Sequence, residues 1–554
     1  MNSALNVKKQ LTFSRSVVLA GGMDVVEMAK KKYIITAFML VCLSVFGQAD
    51  SGGSVRRDVF SDVSACIEAQ MTAGNGFTPL WLNANKYGLS SLDSDNGYLR
   101  VSAERDISAD RNRRWGVGYG LDIAAAYNNT SSFIVQQAYF EGRYKLGTLT
   151  VGSKQQPMEL RDNELASGAQ TLGINARPVP QVRLGLNDYW AIPLLGGWLS
   201  FKGHLAFGMM TDGNWEESFA KGTSNKWNKN TRYHQKAGYL RIGKDDGTHH
   251  LTFTMGLEMA SQFGGTVYNW AGTDENVNHE EKVVLKSNLK SYWNAFTGMT
   301  SADAGEGIYE NAEGNLLGSW VMRLAWDDSR MTAGLYMDHY FEDHSGMFFL
   351  DYDGYGSGDS WNVKERNRYF VYSLKDFLLG FDLRLKKVKA VNSFVLEYMN
   401  TTYQSGPIYH DRTQNVSDHI AGRDNYYNHS SLPGWQHWGQ VMGNPLYLSP
   451  LYNGNGYIGT CCNRFRALHL GIAGDPLPGL RYRLKASWQK GWGTYSDTYT
   501  VPRENTSLLA EASFRTPDEA SFLRPLTFTL GLGADFGRLR GENRGVQLTV
   551  KYEL

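Results

Sequence analysis

Residues 545–554 alternate between apolar and polar positions without a break. Val546, Leu548, Val550, Tyr552 and Leu554 fall on one face, and Gln547, Thr549, Lys551 and Glu553 on the other. A strand has a side-chain period of two, so this stretch reads as a strand with one apolar face. The pattern recurs upstream. Leu480, Tyr482, Leu484, Ala486 and Trp488 oppose Arg481, Arg483, Lys485, Ser487 and Gln489; Leu199, Phe201, Leu205 and Phe207 face away from Lys202 and His204; Phe381, Leu383 and Leu385 oppose Asp382, Arg384 and Lys386. Strands are expected over 98–105, 115–127, 133–144, 148–154, 182–192, 198–210, 234–242, 250–260, 317–326, 330–340, 369–385, 391–401, 465–473, 480–490, 507–514, 526–536 and 546–554. That makes roughly 16–18, and single-chain bacterial barrels favour even numbers. Short turns such as Gly196-Gly197 and Asp327-Asp328-Ser329 suit hairpins. Two stretches break the rhythm. In 59–73, Val63, Ile67 and Met71 stand at helical spacing before Gly74, and the polar stretch 157–172 reads as a short helix.

Alternation alone also fits a soluble sandwich, whose outer faces meet water. Chain length and an export signal tip the reading to an all-β fold, a transmembrane outer-membrane β-barrel of antiparallel strands. The chain has 554 residues, 13% aromatic, with 60 glycines and only 14 prolines, which suits long strands joined by turns. Mean hydropathy is −0.40, so helical membrane proteins are excluded, and the net charge of +1 gives no encouragement to nucleic-acid binding. From Met28, Lys30, Lys31 and Lys32 form a basic region, Ile34 to Phe46 an apolar one, and Gly47-Gln48-Ala49 a small-residue cleavage site. Residues 28–49 are therefore expected to be a signal peptide and 1–27 an over-called upstream extension. Residues 50–96 are expected to be a periplasmic or plug segment and 97–554 the barrel. Cys66, Cys461 and Cys462 remain after cleavage, an odd number that leaves full internal pairing impossible.

Three inserts, 266–316, 341–368 and 402–464, are rich in Gly, Asn and Asp and far too long for hairpin turns. Long loops of such barrels lie outside the cell and tend to carry function.

Four segments, FTPLWLNANKYGLSS (77–91), PVPQVRLGLNDYW (178–190), YFEDHSGMFF (340–349) and RDNYYNHSSLPGWQHWGQVMGNPL (423–446), together resemble the capsule assembly Wzi family, in the form found in Bacteroides-type bacteria. The resemblance implies a barrel of about 18 strands with small helical periplasmic elements. It also implies a lectin role, holding capsular or exopolysaccharide at the cell surface, with outer-membrane lipid or lipopolysaccharide as the other partner. No cofactor, metal, nucleic acid or catalytic residue is expected, and the protein is expected to be a monomer. A diffusion channel for small solutes and an outer-membrane glycan hydrolase are the alternatives.

In the 402–464 insert, Tyr426, Tyr427, Trp435, Trp438 and Tyr447 offer faces for sugar C–H patches, with Arg423, Asp424 and Asn425 placed for hydroxyls; the same rings also suit packing of the loop on itself. Lys202, Arg323, Arg384, Lys386, Arg481, Arg483 and Lys485 point inward and give a partly basic lumen, suited to an acidic polymer; Glu141, Glu258, Asp382 and Glu397 point inward too, and near-zero net charge favours internal pairing. Asp338, His339, Glu342, Asp343 and His344 form the densest titratable cluster, expected to be a hydrogen-bonded knot beneath the loops.

Overall fold

Eighteen antiparallel strands close into one barrel. In chain order they are β1 (Val63–Asn75), β2 (Asn96–Arg105), β3 (Trp115–Tyr127), β4 (Phe133–Tyr144), β5 (Gly147–Ser153), β6 (Gln181–Leu186), β7 (Leu199–Met209), β8 (Arg232–Ile242), β9 (Leu251–Phe263), β10 (Asn315–Asp327), β11 (Met331–Glu342), β12 (Phe377–Leu385), β13 (Ser393–Asn400), β14 (Phe465–Leu477), β15 (Leu480–Gly493), β16 (Thr498–Arg515), β17 (Leu526–Gly537) and β18 (Asn543–Glu553). Each pairs with its sequence neighbours. The seam closes where β1 pairs with β18, from Cys66 opposite Glu553 to Asn75 opposite Arg544. Closure leaves no unpaired edge, which a strand in hydrocarbon cannot tolerate. The computed structural model describes residues 61–554 apart from 245, 270–281, 299, 302–310, 344–349, 352–353, 356–357, 366–368, 371–373, 411–418 and 518–524. The expected leader and upstream extension lie outside the described residues, as does His344.

The side-chain period assigns the two faces of the wall. Leu99, Val151, Leu184, Leu335, Leu396, Leu468, Leu530 and Leu548 all point outward and are exposed. An apolar belt running round every strand exceeds anything a water-facing surface carries, and lipid is its solvent. Trp115, Tyr144, Trp198, Trp326 and Phe514 gather at one rim, with Trp115 and Tyr144 in ring contact at 4.5 Å. This is the interfacial ring position that aromatic side chains favour.

The two rims differ. At the rim shared by Val63 and Glu553, the near rim, connections are short: Lys145-Leu146, Asp328–Arg330 and Pro478-Gly479 are typical. At the opposite, far rim lie the connections 76–95, 154–180, 210–231, 264–314, 343–376 and 401–464. In barrels of this kind the short-turn rim is periplasmic and the long-loop rim extracellular.

Each of the seventeen expected strands has a counterpart in the wall, although the one expected over 369–385 is wall strand only from Phe377, Tyr369–Phe370 pairing instead with Leu350–Asp351, and the eighteenth is a correction. Residues 63–75 are not a helix in a periplasmic segment but the first wall strand, β1. A spacing of four residues satisfies a period of two as well as one near 3.6. Ala65, Ala69 and Ala73 complete the outward row of Val63, Ile67 and Met71, while Glu68, Gln70 and Thr72 face in. The barrel therefore starts at 63 rather than 97. The expected strand 182–192 breaks at Asn187, after which Trp190–Ala191 pairs with β7. Residues 157–172 form no helix; they run as irregular turns inside the lumen. Nor are the α-helices periplasmic. Among the described residues α1 (Leu80–Asn83) lies in the lumen, α2 (Trp215–Ala220) belongs to a far-rim loop, and α3 (Leu289–Thr297) lies on the outer wall; the near rim has 3-10 turns at Ile107–Asp110 and Pro193–Leu195.

Helix α3 answers a local problem of the wall. The outward row of β8 places His234 and Lys236 where lipid would meet them, and burying unpaired polar groups in hydrocarbon costs several kcal/mol, roughly. Tyr292 packs on Phe207 (5.4 Å) and Phe263 (5.1 Å), His234 stacks on Phe207 (4.4 Å), and Lys236 Nζ donates to the Phe296 carbonyl at the helix C-terminus.

Candidate functional site

Three far-rim connections turn inward and fill the lumen. Leu80, Trp81, Leu82, Tyr426, Tyr427, Trp435, Met442, Leu446 and Tyr447 form one buried cluster with wall residues Tyr233, Leu317, Tyr336, Leu378, Met399, Phe465 and Leu509. The plug is also bonded to the wall by polar groups. Trp81 Nε1 donates to Ser487 Oγ (3.1 Å), Ser167 N to Glu397 Oε2 (2.7 Å), and Arg540 Nη2 to the Leu446 carbonyl (2.9 Å). The Leu165 carbonyl is bonded by His469 Nε2 (2.7 Å). Polar inward rows that a hollow barrel would leave to water are here satisfied by irregular backbone.

This placement sorts the expected sugar-binding residues. Tyr426, Tyr427, Trp435 and Tyr447 are buried in the plug core, with at most 1% of their surface exposed. Tyr427 stacks on Tyr447 at 4.0 Å and its hydroxyl donates to the Gln170 carbonyl; the Tyr426 hydroxyl donates to Asp376 (3.0 Å). These four rings are packing residues, because an insert of this length needs its own core. Trp438 is half-buried. It occupies, with Gly439, the left-handed turn of the hairpin Gln436–His437/Gln440–Val441 (φ 55° and 80°), and the Arg177 guanidinium lies 4.3 Å from its ring. Arg423 and Asn425 are exposed and Asp424 partly so.

Five of the seven inward basic residues are paired. Lys202 binds Glu159, Arg323 binds Asp382, Lys386 binds Asp327, Arg481 binds Glu164 (2.5 Å) and Asp475 (2.9 Å), and Arg483 binds Glu511 (2.8 Å). Lys485 is buried 4.8 Å from the Trp81 ring. Arg384 faces a near-rim recess of about 850 Å³ with Lys389, Asp475 and Arg515. Of the titratable cluster, Asp338 pairs with Arg161 of the plug, Glu342 accepts the Tyr427 backbone N–H (2.8 Å), and His339 Nδ1 lies 3.0 Å from the Asp376 carbonyl. The cluster's described members are thus a knot beneath the loops. Cys66, Cys461 and Cys462 are all free thiols.

The accessible chemistry lies at the far rim, around a ring the insert-based reading passed over. Tyr495, in the β15–β16 turn, has the guanidinium of Arg464 at 3.7 Å and that of Arg423 at 4.4 Å. Its hydroxyl donates to the Tyr403 carbonyl (3.0 Å), and Lys375 Nζ stands 4.0 Å from the exposed Tyr403 ring. Arg466 beside Trp492 (5.8 Å) and Arg503 beside Tyr499 (4.0 Å) extend the row. Among the described residues no carboxylate lies within ion-pair distance of Lys375, Arg423, Arg464, Arg466 or Arg503; Asp424 and Asp497 share the rim and Asp376 is buried below it. The sequence signal was the clustering of Tyr, Trp and Arg where strand alternation ends.

Two buried groups, His437 in the plug and Glu216 in the far-rim loop bonded to it, carry shifted protonation. Burial holds the His437 imidazole down at about 4; Thr211 N donates to its Nε2 (3.2 Å), which leaves Nδ1–H to donate to the Arg177 carbonyl (2.8 Å). Burial pushes the Glu216 carboxyl up to about 8, against the backbone N–H of Asn228 and the amide of Gln436 that it accepts.

A closed wall with an outward apolar belt, short near-rim turns and a lumen filled from the far rim define the class: an outer-membrane β-barrel with a built-in plug. No family model matches the chain, and no curated protein matches it. Among solved structures it is similar to Wzi of Escherichia coli, an outer-membrane protein involved in group 1 capsule assembly and described as a carbohydrate-binding β-barrel. The TM-score is 0.51 at 12% identity, covering 88% of this chain and 84% of that one. It is also similar to OprD of Pseudomonas aeruginosa, with a TM-score of 0.42, 10% identity and coverage of 92% and 97%. The likeness to the E. coli protein is one of fold.

Proposed function

We propose that this barrel is a non-enzymatic binder of acidic surface polysaccharide, holding capsular or exopolysaccharide at the extracellular rim. One observation carries the reading: Arg423 and Arg464 flank Tyr495, and among the described residues no carboxylate lies within ion-pair distance of either. A ring with adjoining cations takes a sugar's C–H face while the guanidiniums take carboxylates or hydroxyls. Lys375 with Tyr403 and Arg503 with Tyr499 repeat the combination along the rim, so a polymer meets several weak contacts whose strengths multiply through avidity. The described carbohydrate binding of the E. coli barrel of similar fold supports the same reading.

The test is retention of acidic and neutral polysaccharides by the detergent-solubilised protein at low and high salt. Acidic polymer is expected to be retained more strongly, and less so as salt rises. Arg423→Gln with Arg464→Gln is expected to weaken retention by about tenfold or more, the equivalent of ~1.4 kcal/mol. Equal retention of both polymers, or an unchanged double variant, would count against the reading.

A further inference from the structure

A second cavity lies at the other end of the barrel, between the plug segment 154–180 and the inner faces of β4–β9. It has a volume of about 280 Å³ and extends from Thr171 and Met442 of the plug down to Leu186 and Asn187 at the near rim. Most of its charges are spoken for. Lys154 pairs with Glu141 (2.5 Å), Lys202 pairs with Glu159, and Glu258 accepts the Tyr239 hydroxyl (2.8 Å). Arg177 stacks on Trp438 and donates to Thr130 Oγ1 (2.8 Å). Arg183 makes no hydrogen bond or ion pair among the described residues, and the buried Nε2 of His204, like Arg177 Nε and Glu258 Oε2 of the same lining, has no hydrogen-bond partner there. Arg183 and His204 are the two that face each other. The register makes them neighbours: Arg183 stands opposite Ala206 and His204 opposite Gly185, so both project from the same inward face on a cross-strand diagonal. The small residues facing them leave the space between open.

The lining carries four cations, Lys154, Arg177, Arg183 and Lys202, against three carboxylates, Glu141, Glu159 and Glu258. Glu159 and Glu141 act on Arg183 only across a distance and bond to other groups, so a guanidinium drawn out of bulk water with no bonded counter-charge calls for a further anion. The fork of Arg183 matches a planar carboxylate, and a single such cation suits a single negative charge. The remaining lining is hydroxyl and carboxamide: Thr148, Thr150, Gln181 and Gln235 offer donors and acceptors to a polyol. The volume sits at the small end of ligand pockets and has room for one sugar ring, not for a polymer. We propose that this near-rim cavity binds a single hydroxylated carboxylate of sugar-acid type, with Arg183 holding the carboxylate and His204 Nε2 the neighbouring hydroxyl. The site is separate from the far-rim row and stands without it.

D-Glucuronate titrated into the full-length, detergent-solubilised barrel tests this, with D-glucose, acetate and sulfate as comparison probes. Saturable glucuronate binding is expected, with acetate and glucose each at least about tenfold weaker. Arg183→Gln is expected to lower glucuronate affinity by about tenfold or more while keeping the heat-modifiable mobility of a folded barrel. Because that variant risks misfolding, a second measurement uses the unaltered protein. Glucuronate is expected to protect Arg183, and not Arg423, from phenylglyoxal, read by peptide mass spectrometry. No saturable binding, glucose or sulfate equal to glucuronate, full affinity in a folded Arg183→Gln protein, or unprotected Arg183 would each overturn the assignment.

Discussion

Arg161 of the plug and Asp338 of β11 form a buried ion pair, their side chains 1% and 3% exposed. The same guanidinium donates to the Gly168 carbonyl (2.7 Å), so one residue ties the irregular 157–172 run both to itself and to the wall.

Removing one partner strands the other in a dry site. Asp338→Asn is expected to cost about 3–5 kcal/mol, whereas the double change Arg161→Met with Asp338→Leu is expected to cost less than Asp338→Asn alone. Guanidinium unfolding followed by the heat-modifiable gel shift compares them; equal losses would show that the charges themselves do not set the cost.

The rings of the 402–464 insert should separate into two groups. Trp435→Ala removes a buried ring and is expected to cost about 3–5 kcal/mol. Trp438→Ala, half-buried at a turn, is expected to cost on the order of 1 kcal/mol. Neither is expected to alter the salt dependence of polymer retention, which follows Arg423 and Arg464.

Two buried groups, one in the plug and one in the loop bonded to it, set opposite pH limits. Native His437 stays neutral down to about 4 while the unfolded side chain takes its proton near 6.5. Its contribution is complete above pH 6.5 and declines as pH falls toward 4. Native Glu216 keeps its proton up to about 8 while the unfolded carboxyl releases it near 4.5. Its contribution is complete below pH 4.5 and declines as pH rises toward 8. The slopes offset between pH 4.5 and 6.5, so plug stability is expected to be flat there and to fall on both sides. In pH-dependent urea titrations, His437→Gln should flatten the acid limb and Glu216→Gln the alkaline one.

A filled lumen should not conduct. Planar bilayers with the intact protein are expected to show no steady current, and urea at concentrations that loosen the plug while the wall holds is expected to open one. Steady conductance without urea would instead favour a diffusion channel.

Helix α3 is expected to sit at the lipid headgroup level. Leu289 is 89% and Trp293 59% exposed, one turn apart on the outer side of a helix whose other side covers the wall. A nitroxide at 289 or 293 should be relaxed more by oxygen than by a water-soluble nickel chelate, and one at Lys290 less so.

The wall was legible because a one-residue slip would turn every apolar side chain from lipid to lumen, which enforces strict alternation. Residues 63–75 were misread because the i, i+4 apolar spacing fits both periods and alanines carry the rest of the outward row. The plug was illegible for a different reason. Ser167, Gly168, Ala169 and Asn444 have no period, and their burial follows from tertiary bonds such as Asn444 Nδ2 to the Gly168 carbonyl (3.0 Å). Aromatics in the insert signalled a buried body as strongly as a sugar site; the cations around Tyr495, with no ion pair among the described residues, became visible only once each arginine's neighbours were known.

The plug is stitched from distant parts of the chain: the amides of Asn83 and Gln440, 357 residues apart, bond each other reciprocally at 3.1 and 3.4 Å. The early strap therefore has no seat until the late insert has been delivered. Contacts of such separation are slow to form. The lumen is therefore stoppered only by a pairing between the first part of the chain and its last third, never by a local one.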